Sequence, residues 1–155
     1  MSSIMRQPQE LYGDPDLKLE GLSVWALRRE FPKSDDYWDG NWITIHARVE
    51  APDAHVDVQG PWLRSDEVEV FLNQLEMLDR DLKGTAEIAC MEPMLNVKVE
   101  CGSLGHIQVV IEITPDNMTQ SHRFEFSSDQ TYLASAMKGC RAVLAKYPVK
   151  KAAGS

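Results

Sequence analysis

The sequence predicts an α+β fold, an antiparallel β-sheet of about six to eight strands packed with two α-helices. Three observations carry this reading. Turn residues recur roughly every 8–12 positions between stretches of alternating apolar and polar side chains. Only two stretches, 65–81 and the one opening near Ser127, place apolar residues at helical spacing. The links between the strand-like stretches are too short for parallel crossovers, which need about a dozen residues or more.

The elements follow in order. Residues 1–16 carry Pro8, Gly13 and Pro15 without periodicity and read as a flexible leader. Leu17, Leu19, Leu22, Val24 and Ala26 predict an early strand or hairpin, interrupted near Gly21. From Trp42 to Glu50 the alternation is clean, with Ile43, Ile45, Ala47 and Val49 on one face. Val56 and Val58 continue it after a Pro52-Asp53 turn. Ser65 is a candidate cap, with Asp66 and Glu67 at the positive end of the helix dipole. Val68, Phe71, Leu72, Leu75 and Leu78 then form an apolar face, and Glu69, Asn73, Glu76 and Arg80 a polar one. Gly84 fits a helix stop. Ile88 and Cys90, then Leu95 to Cys101, then Ile107 to Ile113 mark three strands, and Phe124 and Phe126 a further one. Ser127 and Gln130 are spaced as a capping box, opening a helix with Leu133, Met137, Cys140, Leu144 and Tyr147 inward. Pro148 ends it. A single domain is expected over 17–150, with 151–155 as a frayed tail.

A chain of 155 residues fits one domain and buries a core without staples. No apolar run reaches the roughly 18–20 residues a bilayer crossing needs, and the N-terminus has no signal-peptide pattern. Three cysteines, Cys90, Cys101 and Cys140, form no C-x-x-C pair and sit in apolar patterns. They read as buried thiols of a reducing, cytoplasmic setting. Net charge is −8, and it is concentrated. Ser34 to Asp81 holds 12 acids against 3 bases, which disfavours nucleic acid and anionic membranes as partners and favours a basic protein. Solubility alone explains the same charge equally well.

Catalytic, cofactor and metal motifs are missing. His55 and Asp57 share a strand face, as a surface charge pair would. The remaining histidines have no i, i+4 partner, and there is no zinc spacing, phosphate loop or nucleophile elbow. Cys140 lies on an apolar helical face and reads as core. The segment Ser34-Asp35-Asp36-Tyr37-Trp38-Asp39-Gly40-Asn41-Trp42 stands out. Its three carboxylates lack the alternate spacing and distal glutamate of an EF-hand. Asp39, Asn41 and Trp42 read as turn and strand start. Asp35, Asp36 and Tyr37, with Asp66 and Glu67 exposed on the first helix, form the candidate partner-binding set, since aromatics among acids suit a protein-binding hot spot.

The run Trp38-Asp39-Gly40-Asn41-Trp42, the alternating strand and Leu-rich acidic helix after it, Glu92-Pro93-Met94-Leu95, and the closing Tyr147-Pro148-Val149-Lys150 resemble the WapI family of bacterial immunity proteins. The resemblance spans about Leu17 to Lys150. Gly40 stands where a larger residue is expected, and Met94 where an asparagine is usual. The resemblance implies a non-enzymatic inhibitor, without cofactor, that binds the toxic domain of a large contact-delivered toxin, often a basic nuclease. Two other classes stay open, a chaperone-like accessory domain and an enzyme or ligand-binding fold whose site no linear motif reveals.

Overall fold

The computed structural model describes residues 7–90 and 94–151. A short helix, α1 (Pro8–Tyr12), leads into a meander of four strands: β1 (Leu17–Leu19), β2 (Leu22–Arg29), β3 (Trp42–Ala51) and β4 (Ala54–Arg64). One helical turn, α2 (Tyr37–Gly40), interrupts the β2–β3 connection. The long helix α3 (Ser65–Asp81) follows, then β5 (Gly84–Ala89), β6 (Leu95–Cys101), β7 (Ile107–Ile113), β8 (Arg123–Ser128) and α4 (Gln130–Lys146). The motif residues Glu92 and Pro93 lie outside the described residues, as do 1–6 of the expected leader and 152–155 of the tail.

The expectation of one sheet of six to eight strands with two helices is wrong. The described strands form two separate four-stranded antiparallel sheets, in the orders β1-β2-β3-β4 and β5-β6-β7-β8, and there are four α-helices among the described residues. The reason lies in α3. Its 17 residues carry the chain about 25 Å, so β5 starts a new ladder rather than extending the edge of β4. Each strand then pairs with the next in sequence, which keeps pairing local within each half. The two additional helices, of five and four residues, are too short to show a helical period.

Both sheets turn one face to a common interior. Val97, Val99, Ile107, Val109, Ile111 and Ile113 alternate with exposed neighbours in the second sheet, and Leu22, Val24, Ile43, Ile45, Ala47 and Val49 line the first. These residues join Phe71, Leu75, Leu133 and Cys140 in one hydrophobic cluster. Helix α4 lies close on β1. A Cβ at Gly139 would stand 2.8 Å from the Asp16 carbonyl oxygen and the Leu17 Cα, so only glycine permits this approach. Val68, Phe71, Leu72 and Leu75 face inward on α3, as the spacing predicts.

Helix ends differ from expectation. The cap of α3 is Arg64, not Ser65, and the Glu67 carboxylate accepts the Arg64 backbone N–H at 2.8 Å. The α4 cap is Asp129, whose side chain accepts from the Thr131 backbone N–H at 2.9 Å, in place of a Ser127–Gln130 box. In each case a carboxylate takes the backbone N–H, because a charged acceptor binds it more strongly than a hydroxyl does. Leu82, in the left-handed conformation, ends α3 two residues before Gly84.

Phe71→Ala is expected to destabilise the protein by about 3–5 kcal/mol, and Asn73→Ala on the exposed face by no more than about 0.5 kcal/mol. Denaturant midpoints measure both, and equal costs would contradict the helical phase.

Candidate functional site

The β3–β4 hairpin builds the site. Its register places Trp42 opposite Arg64, and a bulge between Ile43 and Ile45 shifts the ladder by one residue on the way. Arg64 therefore ends β4 beneath the α2 turn, with only 2% of its surface exposed. A buried guanidinium is tolerable only when its donors are used and its faces covered. Here Nε donates to Asp66 Oδ1 at 3.0 Å and Nη2 to the Tyr37 carbonyl at 2.8 Å, while Nη1 reaches the Trp38 carbonyl. The rings of Trp42, Tyr37 and Trp38 stand around it, with centroids 5.2, 5.3 and 5.4 Å from Cζ. Such a cage suits a planar, weakly hydrated arginine and not a lysine.

The second oxygen of Asp66 is also engaged, accepting the Tyr37 hydroxyl at 3.1 Å. This bond to a carboxylate, helped by burial and the Asp66 charge against the opposing pull of Arg64, holds the Tyr37 phenol above its ordinary range. Asp36 caps α2, its Oδ2 accepting from the Asp39 backbone N–H at 3.0 Å. Asn41, fully buried, donates through Nδ2 to the Tyr37 carbonyl at 2.8 Å. The turn is thus held from below by Arg64 and from behind by Asn41.

The candidate set divides accordingly. Tyr37, Asp66 and Glu67 contact Arg64, Asp36 caps the α2 turn, and Asp35 lies exposed next to that cap. Asp66 and Glu67 were expected to be exposed, but both are half-buried and serve the fold. Trp38, which the sequence reading left unassigned, is 63% exposed. It packs edge-on to Tyr37 at 5.3 Å between ring centroids. An aromatic flanked by acids was the available signal, and only the fold shows which of the rings points outward.

The acids of 34–81 do not form one surface. Asp57 pairs with His46 at 2.8 Å and His55 at 3.2 Å, Glu76 with Arg141 at 3.8 Å, and Glu69 with Lys151 at 3.7 Å. By contrast, Asp35, Asp36 and Asp39 have no salt-bridge partner among the described residues. His55 and His122 both border an open cleft between the β3–β4 turn and β8. Their hydrogen bonds run apart, to Asp57 and to Gln120. No group of three or more metal-ligating side chains assembles among the described residues, and no described helix is long and apolar enough to cross a membrane. Cys140 is fully buried, and burial pushes its thiol up to about 12.

The model of the immunity protein WapI-like family matches residues 16–148. The chain belongs to that family. It is therefore an immunity protein rather than an enzyme, and its partner is a cognate toxin. No curated protein and no solved structure matches the chain. The family match begins after α1 and ends as the chain leaves α4, so the Arg64 cage lies within it.

Two outcomes test this geometry. Arg64→Ala removes the charge that Asp66 and two carbonyls depend on and should cost about 3–5 kcal/mol in denaturant unfolding. A cost near zero would mean the cage contributes nothing. The raised Tyr37 favours its neutral form in the folded state, so its stabilisation is present below about pH 10 and lost as pH rises through its folded pKa. Ultraviolet titration of the wild type and of Asp66→Asn should show one tyrosine ionisation that moves to lower pH on the substitution.

Proposed function

We propose that this immunity protein neutralises a basic, nuclease-like toxin domain, and that the toxin docks on the face carried by α2 and the loop before it. Trp38 is the anchor, Asp35, Asp36 and Asp39 supply the field around it, and Tyr37, Asp66 and Glu67 contribute from the margin. The observation that supports this reading best is Trp38. A tryptophan held 63% exposed, packed beside a buried arginine and among carboxylates without a salt-bridge partner, presents a preorganised aromatic hot spot.

Charge supplies the choice of partner. Between Ser34 and Asp81 the chain has 12 acids and 3 bases. A nuclease needs a basic surface to hold the phosphate backbone. Complementary fields raise encounter rates and weaken as salt shortens the Debye length. The aromatic contact then governs how long the complex lasts.

The experiment is stopped-flow association and dissociation with an inactive variant of the cognate toxin domain. Replacing Asp35, Asp36 and Asp39 together by Asn keeps an α2 cap, because Asn caps as well as Asp. That triple variant should associate about tenfold more slowly at low salt and show a flatter salt dependence. Trp38→Ala should instead speed dissociation by roughly 30-fold or more. Unchanged rates in both variants would place the docking face elsewhere.

A further inference from the structure

After α4 the chain turns back across the fold and lies against the α2 loop. The Lys150 backbone N–H donates to Asn41 Oδ1 at 2.8 Å, and Asn41 Nδ2 donates to the Lys150 carbonyl at 3.0 Å. The same amide donates to the Tyr37 carbonyl, so one buried side chain joins the strap to the turn that carries Trp38. The Lys150 ammonium reaches the Pro32 carbonyl at 3.4 Å and also the Ser34 carbonyl. Arg29 bridges the two segments from the other side, with Nη1 2.7 Å from the Gly40 carbonyl and Nη2 on the Pro148 carbonyl.

Gly40 makes this close approach possible. A Cβ there would stand 2.9 Å from Lys150 Cδ and 2.7 Å from the Ser34 carbonyl oxygen. The backbone at 34 cannot yield without moving the loop. Position 40, where a larger residue was expected, and Lys150 are thus fitted to each other in this chain.

Apart from Tyr147, which packs against the core, the strap adds little to it. Pro148 is exposed and Val149 and Lys150 only half-buried. Most of its bonds go to the segment 29–41, with Tyr147 also reaching the Ala26 carbonyl and Lys151 pairing with Glu69. Residues 30–41 of that segment have four residues of regular helix in α2 and otherwise irregular backbone before β3. A single helical turn is marginal by itself. A loop left to order upon binding loses affinity to that ordering.

We propose that the strap 147–151 is a positioning element for toxin binding, with Asn41 and Lys150 as the residues that hold Trp38 in its binding orientation. The proposal rests on the docking face described above. Lys150 acts through the loop and not by touching the toxin. Its side chain caps backbone carbonyls on the rear of the turn, while Trp38 points outward.

The test uses the full chain labelled with 5-fluorotryptophan. Its fluorine spectrum reports each of the 4 tryptophans, and Trp38→Phe identifies the resonance of Trp38. In Lys150→Ala the Trp38 resonance should shift and broaden, the Trp25 and Trp62 resonances should stay, and dissociation from the inactive toxin domain should quicken roughly tenfold. Lys150→Arg, which keeps the donors and the charge, should recover most of both effects. Asn41→Ala should act in the same direction more strongly, and if it fails to fold, Lys150→Ala still decides. An unmoved Trp38 resonance in Lys150→Ala overturns the strap's role, as does a moved resonance with unchanged dissociation. Normal toxin binding by Trp38→Ala sinks the docking face and the strap's purpose with it, even where the resonance moves.

Discussion

A guanidinium on a side chain only 2% exposed must be compensated on every side, and the region around α2 is arranged to do so at Arg64. Asp66 supplies the counter-charge at 3.0 Å, the Tyr37 and Trp38 carbonyls take two further donors, and three rings cover its faces. Each of these groups is thereby fixed in turn. The carbonyls set the path of the α2 turn, Asp66 sets the Tyr37 hydroxyl, and the rings can occupy only the places left around the cation. Buried polar clusters of this kind discriminate between arrangements more than they stabilise one. The result here is a one-turn helix, too short to persist alone, held by side-chain bonds from Arg64 and Asn41.

Much of the framework was legible in the sequence because it follows local periods. Phe71, Leu72 and Leu75 announce the inner face of α3, and Val97, Val99, Val109 and Ile111 announce strands with one buried face. The division into two sheets was not legible. Hydrogen-bond partners are chosen by which edges meet in space, and nothing in the alternation of β4 or β5 records that α3 separates them. Arg64 was hidden for a related reason. In sequence, Arg64-Ser65-Asp66-Glu67 looks like a solvated helix start. Counting back symmetrically from the Pro52-Asp53 turn would put Leu63 opposite Trp42. The bulge near Gly60 moves the ladder by one residue and brings Arg64 there instead. A bulge of this kind has little signature beyond a glycine and a proline in a strand.

The same consideration changes how the acidic stretch is understood. Read linearly, 34–81 is one negative block. In space its carboxylates serve different ends: Glu67 receives the backbone N–H at the α3 cap, Asp66 neutralises Arg64, and Asp57 accepts from two histidines on the outer face of the first sheet. Asp35, Asp36 and Asp39 around Trp38 have no salt-bridge partner among the described residues, and neither do Asp53 and Asp79 elsewhere on the stretch. Membership of the immunity family requires a surface that recognises a toxin, and such a surface gains most from rigidity, since ordering costs are then met during folding. Arg64 beneath and the strap behind supply that rigidity from opposite sides.

The most direct test of this account is a hydrogen-exchange footprint of the chain, alone and saturated with the inactive toxin domain. Protection is expected to be confined to amides of residues 31–40 and the first turn of α3, with the outer face of the second sheet, Lys98, Gln108 and Glu125 among its residues, exchanging as before. Protection concentrated on that sheet or on the β3–β4 turn, with residues 31–40 unchanged, would contradict it.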